Sequence, residues 1–256
     1  MLPFIKIFNL SIPSYGLMMV IGLFLSAAIC LWRSRKTNLV AEDIIVLIAA
    51  TFGVAIFCGS FLYAIVTFSA EEIWHFIKTF NFTALFSGLV FYGSLIGGIV
   101  GGLCTAKILK LDLAQLEYCA VPVIPLGHAI GRIGCLLAGC CWGCVYNGAF
   151  AVSYPNAITS VSKTLTYFPI QAVEAIMDIV IMSILFYIAR KPRRKLDLLS
   201  AYVAMYAVMR FITECFRGDE VRGIYLMFST SQWISISLLA IVTVRFIVLK
   251  LKKKSV

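Results

Sequence analysis

An all-α, polytopic integral membrane protein is the fold class this sequence predicts, and three observations predict it. Of the 256 residues, 61% are hydrophobic and 13% charged, whereas soluble domains carry about 45–50% apolar and about 25% charged residues. The mean hydropathy is +0.97. The apolar residues fall into seven runs, near 12–32, 44–68, 84–106, 116–137, 168–189, 198–216 and 231–249, each close to the roughly 20 residues that cross about 30 Å of hydrocarbon. The basic residues lie between these runs and divide unequally between the two sides that they define. The formal charge of +10 is thus a topology signal. It forms no basic stripe interleaved with aromatics, so no nucleic-acid partner is expected.

The runs fix an orientation. Arg33, Arg35 and Lys36 follow the first, Lys107 and Lys110 the third, Arg190, Lys191, Arg193, Arg194 and Lys195 the fifth, and Lys250 and Lys252 to Lys254 close the chain. Only Lys6, Lys78, Lys163, Arg217 and Arg222 fall on the other side. Basic residues stay cytoplasmic, so about seven helices run from an outside N-terminus to a cytoplasmic C-terminus. Met1 to Pro13 lack a charged stretch followed by a small-residue cleavage site, so the first run is expected to be a retained helix. Outside loops are expected to be short except for a small extracytoplasmic cap at about 142–167. With no linker, repeat or low-complexity tract, residues 1–256 read as one membrane domain.

The third run contains Gly97-Gly98-Ile99-Val100-Gly101-Gly102, two overlapping small-xxx-small repeats that let helices approach closely in lipid. Just before it, Tyr92 and Gly93 set a phenol beside a glycine. In the fourth run, Arg132 sits in Gly131-Arg132-Ile133-Gly134-Cys135-Leu136-Leu137-Ala138-Gly139-Cys140-Cys141-Trp142-Gly143. A charge in an apolar span costs about 3 kcal/mol on insertion scales and is rarely idle. At 1.5 Å per residue it lies about 24 Å above the cytoplasmic start of its helix. Arg210, Glu214 and Arg217, at i, i+4 and i+7, share one face of the sixth run and reach the same level. Two readings compete for them: an ion pair that neutralises itself, or arginines holding a phosphate with Glu214 orienting them. Arginine suits the second task, because its planar fork makes paired hydrogen bonds to phosphate oxygens at any depth. Glu174 and Asp178, also i and i+4, read as structural balance for Arg132. Tyr15 belongs to the same outer layer.

His128, one helical turn before Arg132, is a candidate proton acceptor, although a satisfied buried histidine is the plainer reading. Nine cysteines are present. Cys135, Cys140, Cys141 and Cys144 are spaced C-x4-C-C-x2-C, which matches no paired zinc motif, and no metal is expected. Packing or free thiols is the expectation for them, a disulfide the second reading, and a metal or catalytic role the third.

These residues resemble a known family. Gly131-Arg132-Ile133-Gly134 with Trp142-Gly143 looks like the signature of the prolipoprotein diacylglyceryl transferases. Other blocks agree in order and spacing: Ser14-Tyr15-Gly16-Leu17-Met18, Phe91-Tyr92-Gly93-Ser94-Leu95-Ile96-Gly97, Pro169-Ile170-Gln171-Ala172-Val173-Glu174, and Tyr206 to Arg217 followed by Ser231-Gln232. Two departures stand out. Cys135, Ala138 and Cys140 stand where the family signature carries two amides and a carboxylate, and Tyr92 replaces a histidine. The resemblance implies transfer of the diacylglyceryl group of phosphatidylglycerol to the lipobox cysteine of a prolipoprotein signal peptide, with release of glycerol phosphate. It also implies a bacterial cytoplasmic (inner) membrane location, an active site toward the outer leaflet and no cofactor. Arg132, Arg210 and Glu214 would be catalytic, with Arg217, Tyr15, Tyr92, Gly93, Tyr206 and Gly143 binding substrate. Two other readings stay open: a diverged transferase serving a non-lipoprotein acceptor, and a non-catalytic binder of lipid or signal peptide.

Overall fold

The computed structural model of the chain describes every residue except 1, 8–9, 82, 84–87, 158, 160, 191–196, 219–223 and 255–256. The start of the third predicted run and the basic residues Lys191, Arg193, Arg194, Lys195 and Arg222 lie outside the described residues. A two-stranded hairpin, β1 (Phe4–Ile7) and β2 (Leu10–Pro13), opens the chain, with Phe4 opposite Pro13 and Ile5 opposite Ile12. The long helices are α1 (Ser14–Ser34), α2 (Ala41–Thr67), α4 (Phe91–Ile108), α6 (Ile124–Ala138), α7 (Ile170–Ile188), α8 (Asp197–Glu214) and α9 (Thr230–Lys254). Short helices α3 (Ala70–Lys78) and α5 (Leu113–Ala120) and two small hairpins, β3–β4 (Val152–Ser153, Thr166–Tyr167) and β5–β6 (Ile224–Tyr225, Phe228–Ser229), complete it.

Five helical spans among the described residues are long and apolar enough to cross a membrane: Ser14–Ser34, Ala41–Thr67, Leu113–Ala138, Ile170–Ile188 and Thr230–Leu249. Helix α4 is apolar but shorter, and α8 carries Asp197, Arg210 and Glu214 in 18 residues. Each predicted run therefore contains a helix, and three local expectations change. The fourth run is broken: a 3-10 turn, Val121–Val123, separates α5 from α6, because Pro122 and Pro125 remove two amide donors. Residues 68–90 are more than a short outer loop, since they include α3, which starts with a reciprocal cap. Ser69 Oγ accepts from the Glu72 amide, and the Glu72 carboxylate accepts from the Ser69 amide at 2.9 Å. That bond holds the exposed Glu72 carboxyl below its ordinary value. The segment after α8 likewise contains a hairpin.

The chain forms two compact units, Arg33–Leu116 and Met1–Trp32 with Glu117–Val256. In the smaller unit α2 and α4 run antiparallel, and glycines make the contact. A Cβ on Gly93 would lie 2.5 Å from the Cys58 carbonyl oxygen, one on Gly97 2.5 Å from Cys58 Cβ, and one on Gly101 2.8 Å from Val54 Cβ. Lipid gives helices no hydrophobic reason to associate, so close backbone packing has to do it.

In the larger unit α1 lies antiparallel along α6. The backbones at Gly127, Gly131 and Gly134 admit Ser26, Met19 and Met18 with Tyr15 respectively. Ser14 ties the N-terminal hairpin down, its amide and hydroxyl both donating to the Pro3 carbonyl. A core of Val121, Ile181, Leu185, Leu198, Tyr202 and Met209 joins α7, α8 and the 3-10 turn. Buried Glu117 accepts from the Leu199 amide in the first turn of α8, offsetting that helix terminus. Tyr154, Ala157, Val161 and Tyr167, with Trp142 and Leu136 against them, form a small separate core between α6 and α7.

Gly97 and Gly98 are adjacent but face different space. Gly97→Ala pushes a methyl into Cys58 and the Val54 carbonyl and is expected to cost about 1–3 kcal/mol. At Gly98 the nearest atom to a Cβ is 3.5 Å away, so Gly98→Ala should be neutral or slightly stabilising. Thermal unfolding of the two variants in detergent tests the contrast.

Candidate active site

One face of α7 organises the larger unit's polar interior. Gln171, Glu174 and Asp178 lie at i, i+3 and i+7, and none is more than 1% exposed. Glu174 is the junction. Its Oε2 lies 3.0 Å from Arg132 Nε and its Oε1 2.7 Å from Arg210 Nη1, with Arg217 Nη1 at 3.9 Å. The Thr213 hydroxyl donates to Oε1 at 3.2 Å. Arg210 extends the network, its Nη2 reaching Glu214 Oε2 at 2.7 Å and the Ser231 hydroxyl at 3.3 Å. Side chains from α6, α7, α8, the segment just beyond α8, and α9 thus meet at one end of the unit.

Arg132 and Arg210 are used differently. Both ends of the Arg210 fork are engaged by carboxylates. Arg132 is held by Glu174 through Nε, and its side chain is 23% exposed. Neither Nη1 nor Nη2 of Arg132 takes a hydrogen bond or ion pair among the described residues. A guanidinium paired through Nε keeps two terminal N–H2 groups whose planar fork matches the geometry of an oxyanion.

The loop after α6 is fixed from both sides. Gly139 caps the helix at φ +75°, and a Cβ there would come within 2.8 Å of Ala157, so glycine is required twice over. The Cys140 carbonyl accepts from Gln171 Nε2 at 2.8 Å, and Gln171 Oε1 accepts from the Tyr154 hydroxyl at 3.1 Å. Burial raises the Tyr154 phenol above its ordinary value, which keeps it the donor. Gly143 forms an antiparallel bridge with Arg217, where a Cβ would collide with the Phe168 carbonyl. Cys144 N donates to Phe216 O at 2.8 Å and Gly218 N to Trp142 O at 3.1 Å. Gly143 therefore positions Arg217 by letting two backbones touch. Gln232 works similarly at the start of α9, accepting from Ser229 N at 2.9 Å.

A second polar group lies beside the first. His128 Nδ1 and the Tyr202 hydroxyl share a hydrogen bond of 3.1 Å, and the Tyr206 ring lies 5.4 Å from the His128 ring. Asp178 Oδ1 is buried and has no hydrogen bond among the described residues, in electrostatic range of Arg132, Tyr202 and Tyr206. The i, i+4 placement of His128 and Arg132 on α6 is as the sequence predicts. Tyr15 is 43% exposed and packs against Gly134. Tyr92, 45% exposed, and Gly93 belong to the smaller unit, where Gly93 faces α2.

The expectation that Glu174 balances Arg132 agrees with their 3.0 Å ion pair, and the structure adds Arg210 and Arg217 to the same carboxylate. The Pro-x-Gln-x-x-Glu block was the available signal, because it places Gln171 and Glu174 one turn apart. Nothing in the sequence marked Tyr154, Tyr202 or Thr213.

A bundle with several helices of membrane-spanning length, whose arginines converge on one buried carboxylate, is a polytopic membrane protein with a charged cluster inside it. Residues 3–248 match the family model described as prolipoprotein diacylglyceryl transferase, and the chain belongs to that family. It is 31% identical over 237 residues to phosphatidylglycerol–prolipoprotein diacylglyceryl transferase 2 of Clostridium perfringens, covering 91% of this chain and 90% of that protein. It is 32% identical over 232 residues to the phosphatidylglycerol–prolipoprotein diacylglyceryl transferase of Clostridium tetani, covering 90% of each. The Dehalococcoides mccartyi enzyme of the same name is 30% identical over 250 residues, 96% of this chain and 92% of that protein.

Removing the shared carboxylate leaves buried guanidinium groups uncompensated. Glu174→Ala is expected to destabilise the protein by about 3–5 kcal/mol, read as a lower unfolding midpoint in detergent. Glu214→Ala removes only one partner of Arg210 and should cost less.

Proposed function

We propose that this chain transfers the diacylglyceryl group of phosphatidylglycerol to the lipobox cysteine of prolipoproteins, forming a thioether and releasing glycerol phosphate. The observation that carries this reading is Arg132, anchored to Glu174 through Nε at 3.0 Å with its side chain 23% exposed. The phosphodiester would be received there, with Arg210 and Arg217 adding positive potential behind it. As the glyceryl C–O bond breaks, negative charge gathers on the departing phosphate. Donors already aimed at that charge lower the barrier without having to reorganise. Glu174 and Glu214 hold the arginines in register, and Tyr15 and Tyr206 border the headgroup. Holding lipid and peptide together also turns an encounter of two membrane solutes into a local step.

The acyl chains have a place to lie. An apolar groove of about 380 Å³ runs between α7 and α8, lined by Met177, Val180, Ile184, Met205, Val208 and Met209. Met177 and Met209 are sequence neighbours of Asp178 and Arg210, so the groove starts beside the polar cluster. Orientation follows from charge. The cluster sits at the end of the larger unit that holds the N-termini of α1 and α9, while Arg190 and the lysines ending α9 lie at the other. Basic ends stay cytoplasmic, which supports a location of the cluster toward the outer leaflet of the bacterial cytoplasmic membrane. Cys135, Ala138, Cys140 and Tyr92 favour one second reading, transfer to a non-lipoprotein acceptor.

In detergent, with phosphatidylglycerol and a lipobox peptide, the parent chain is expected to form the diacylglyceryl thioether, detected by mass spectrometry. Arg132→Ala and Arg210→Ala should each lower turnover by about 100- to 1,000-fold. Arg132→Lys should also fall steeply, because a point charge replaces a fork. Expression in cells depleted of their own transferase should restore lipoprotein maturation. Lipid consumption without peptide product would favour the second reading, and lipid binding without any consumption would overturn both.

A further inference from the structure

The three thiols at the end of α6 form a group of their own. The Sγ atoms of Cys135, Cys140 and Cys141 lie within 4.8 Å of one another, and the Cys140 thiol also reaches back to the Cys135 carbonyl at 3.8 Å. Tetrahedral zinc thiolates, with bonds of about 2.3 Å, set their sulfurs about 3.8 Å apart. No pair of sulfurs has to close by more than about 1 Å to reach that spacing.

The backbone is shaped to gather these sulfurs. Gly139 at φ +75° and Cys141 at φ +57° are both left-handed, and they bracket Cys140 so that the chain doubles back on α6. A non-glycine residue in that region is strained, and such strain persists where the surroundings enforce it. The enforcement is visible. The amides of Gly139 and Cys140 both donate to the Cys135 carbonyl, at 3.0 and 3.1 Å. Thr159 Oγ1 donates to the Gly139 carbonyl at 2.7 Å, and fully buried Gln171 holds the Cys140 carbonyl. Arg132 is one turn before Cys135 on α6 and interacts with it electrostatically, as Arg217 does with Cys141. These guanidinium groups offset the charge of ionised sulfurs.

We propose that Cys135, Cys140 and Cys141 hold one zinc-class divalent cation, whose fourth position takes the acceptor's thiol as a thiolate beside Arg132. An all-sulfur donor set selects a soft or borderline cation over calcium or magnesium. Three protein ligands leave one position open, the arrangement of catalytic rather than structural zinc. Cys135 is buried whereas Cys140 and Cys141 are half-buried, so the group is not sealed from its surroundings. A free thiol ionises near pH 8.5, whereas one bound to such a cation is deprotonated outright. The acceptor gives its proton to water on binding. Its sulfur then attacks the glyceryl carbon, a C–S bond forms and the C–O bond breaks. The electron pair leaves with glycerol phosphate, held by Arg132, and the cation keeps its valence. This role rests on the transferase reading; the site itself does not.

The test is titration of the full chain in detergent with cobalt(II) and cadmium(II), after the protein is reduced and freed of reductant. One equivalent should bind with sulfur-to-metal charge-transfer absorption. Cys135→Ser and Cys141→Ser should weaken binding at least tenfold, and Cys104→Ser, at an exposed thiol of α4, should not. A cysteine lipobox peptide should shift the cobalt bands, and its serine counterpart should not. The site is overturned by absence of the charge-transfer band, by its persistence in Cys135→Ser protein that melts like the parent, or by two of the three thiols found joined as a disulfide. Thiol activation is overturned if cobalt bands ignore the cysteine peptide or if metal-stripped protein keeps full turnover. Metal binding with the peptide shift but no turnover under any loading counts against the transferase reading alone.

Discussion

Everything polar in the larger unit depends on the Glu174 carboxylate. It is about 1% exposed, and an isolated buried carboxylate is not tolerated, so it must be paired and hydrogen-bonded. Its two oxygens reach Arg132 on α6 and Arg210 on α8, with Thr213 completing one of them. A single side chain thereby fixes the azimuth of three helices. Ion pairs of this kind confer little net stability relative to an apolar core, but breaking one side of them is expensive. They constrain which geometry forms more than how stable it is.

Backbone proximity is the second constraint. Where neighbouring segments have to touch, glycines occur: Gly134 under Tyr15 and Met18, Gly143 against Phe168 and Phe216, Gly218 against Gly143, and the α4 series against α2. Dispersion between closely packed backbones replaces the hydrophobic driving force that lipid removes. The signature around Arg132 is glycine-rich for this reason. Its glycines face α1 and the cap, while the arginine faces Glu174. Helix packing and the ion pair with Glu174 therefore use different sides of one short helix.

The cap between α6 and α7 connects these two constraints. Its small core around Tyr154 and Tyr167 packs on Trp142, and the Tyr154–Gln171–Cys140 chain of hydrogen bonds ties it to the same face of α7 that carries Glu174. The Gly143–Arg217 bridge then ties it to the end of α8. The three-thiol loop and the arginine cluster are thus held by one framework, and displacement of either is felt by the other.

The sequence alone determined that the chain is helical and apolar enough for a bilayer, and it singled out Arg132 and Arg210, because charge in an apolar run is costly wherever the run folds. It also carried the family resemblance and the packing role of the α4 glycines, whose four-residue spacing is a local property of a helix. It did not reveal the break at Pro122, the N-terminal hairpin or α3 with its Ser69–Glu72 cap. Glu174 looked like one carboxylate among several, and Tyr154, Tyr202 and Thr213 had no pattern to mark them. Only the tertiary structure decided that three arginines share Glu174, that Arg132 reaches it through Nε, and that Cys135 meets Cys140 and Cys141. Those facts depend on which helix faces are apposed and on two left-handed residues turning a loop. Neither is encoded in the period of any single segment.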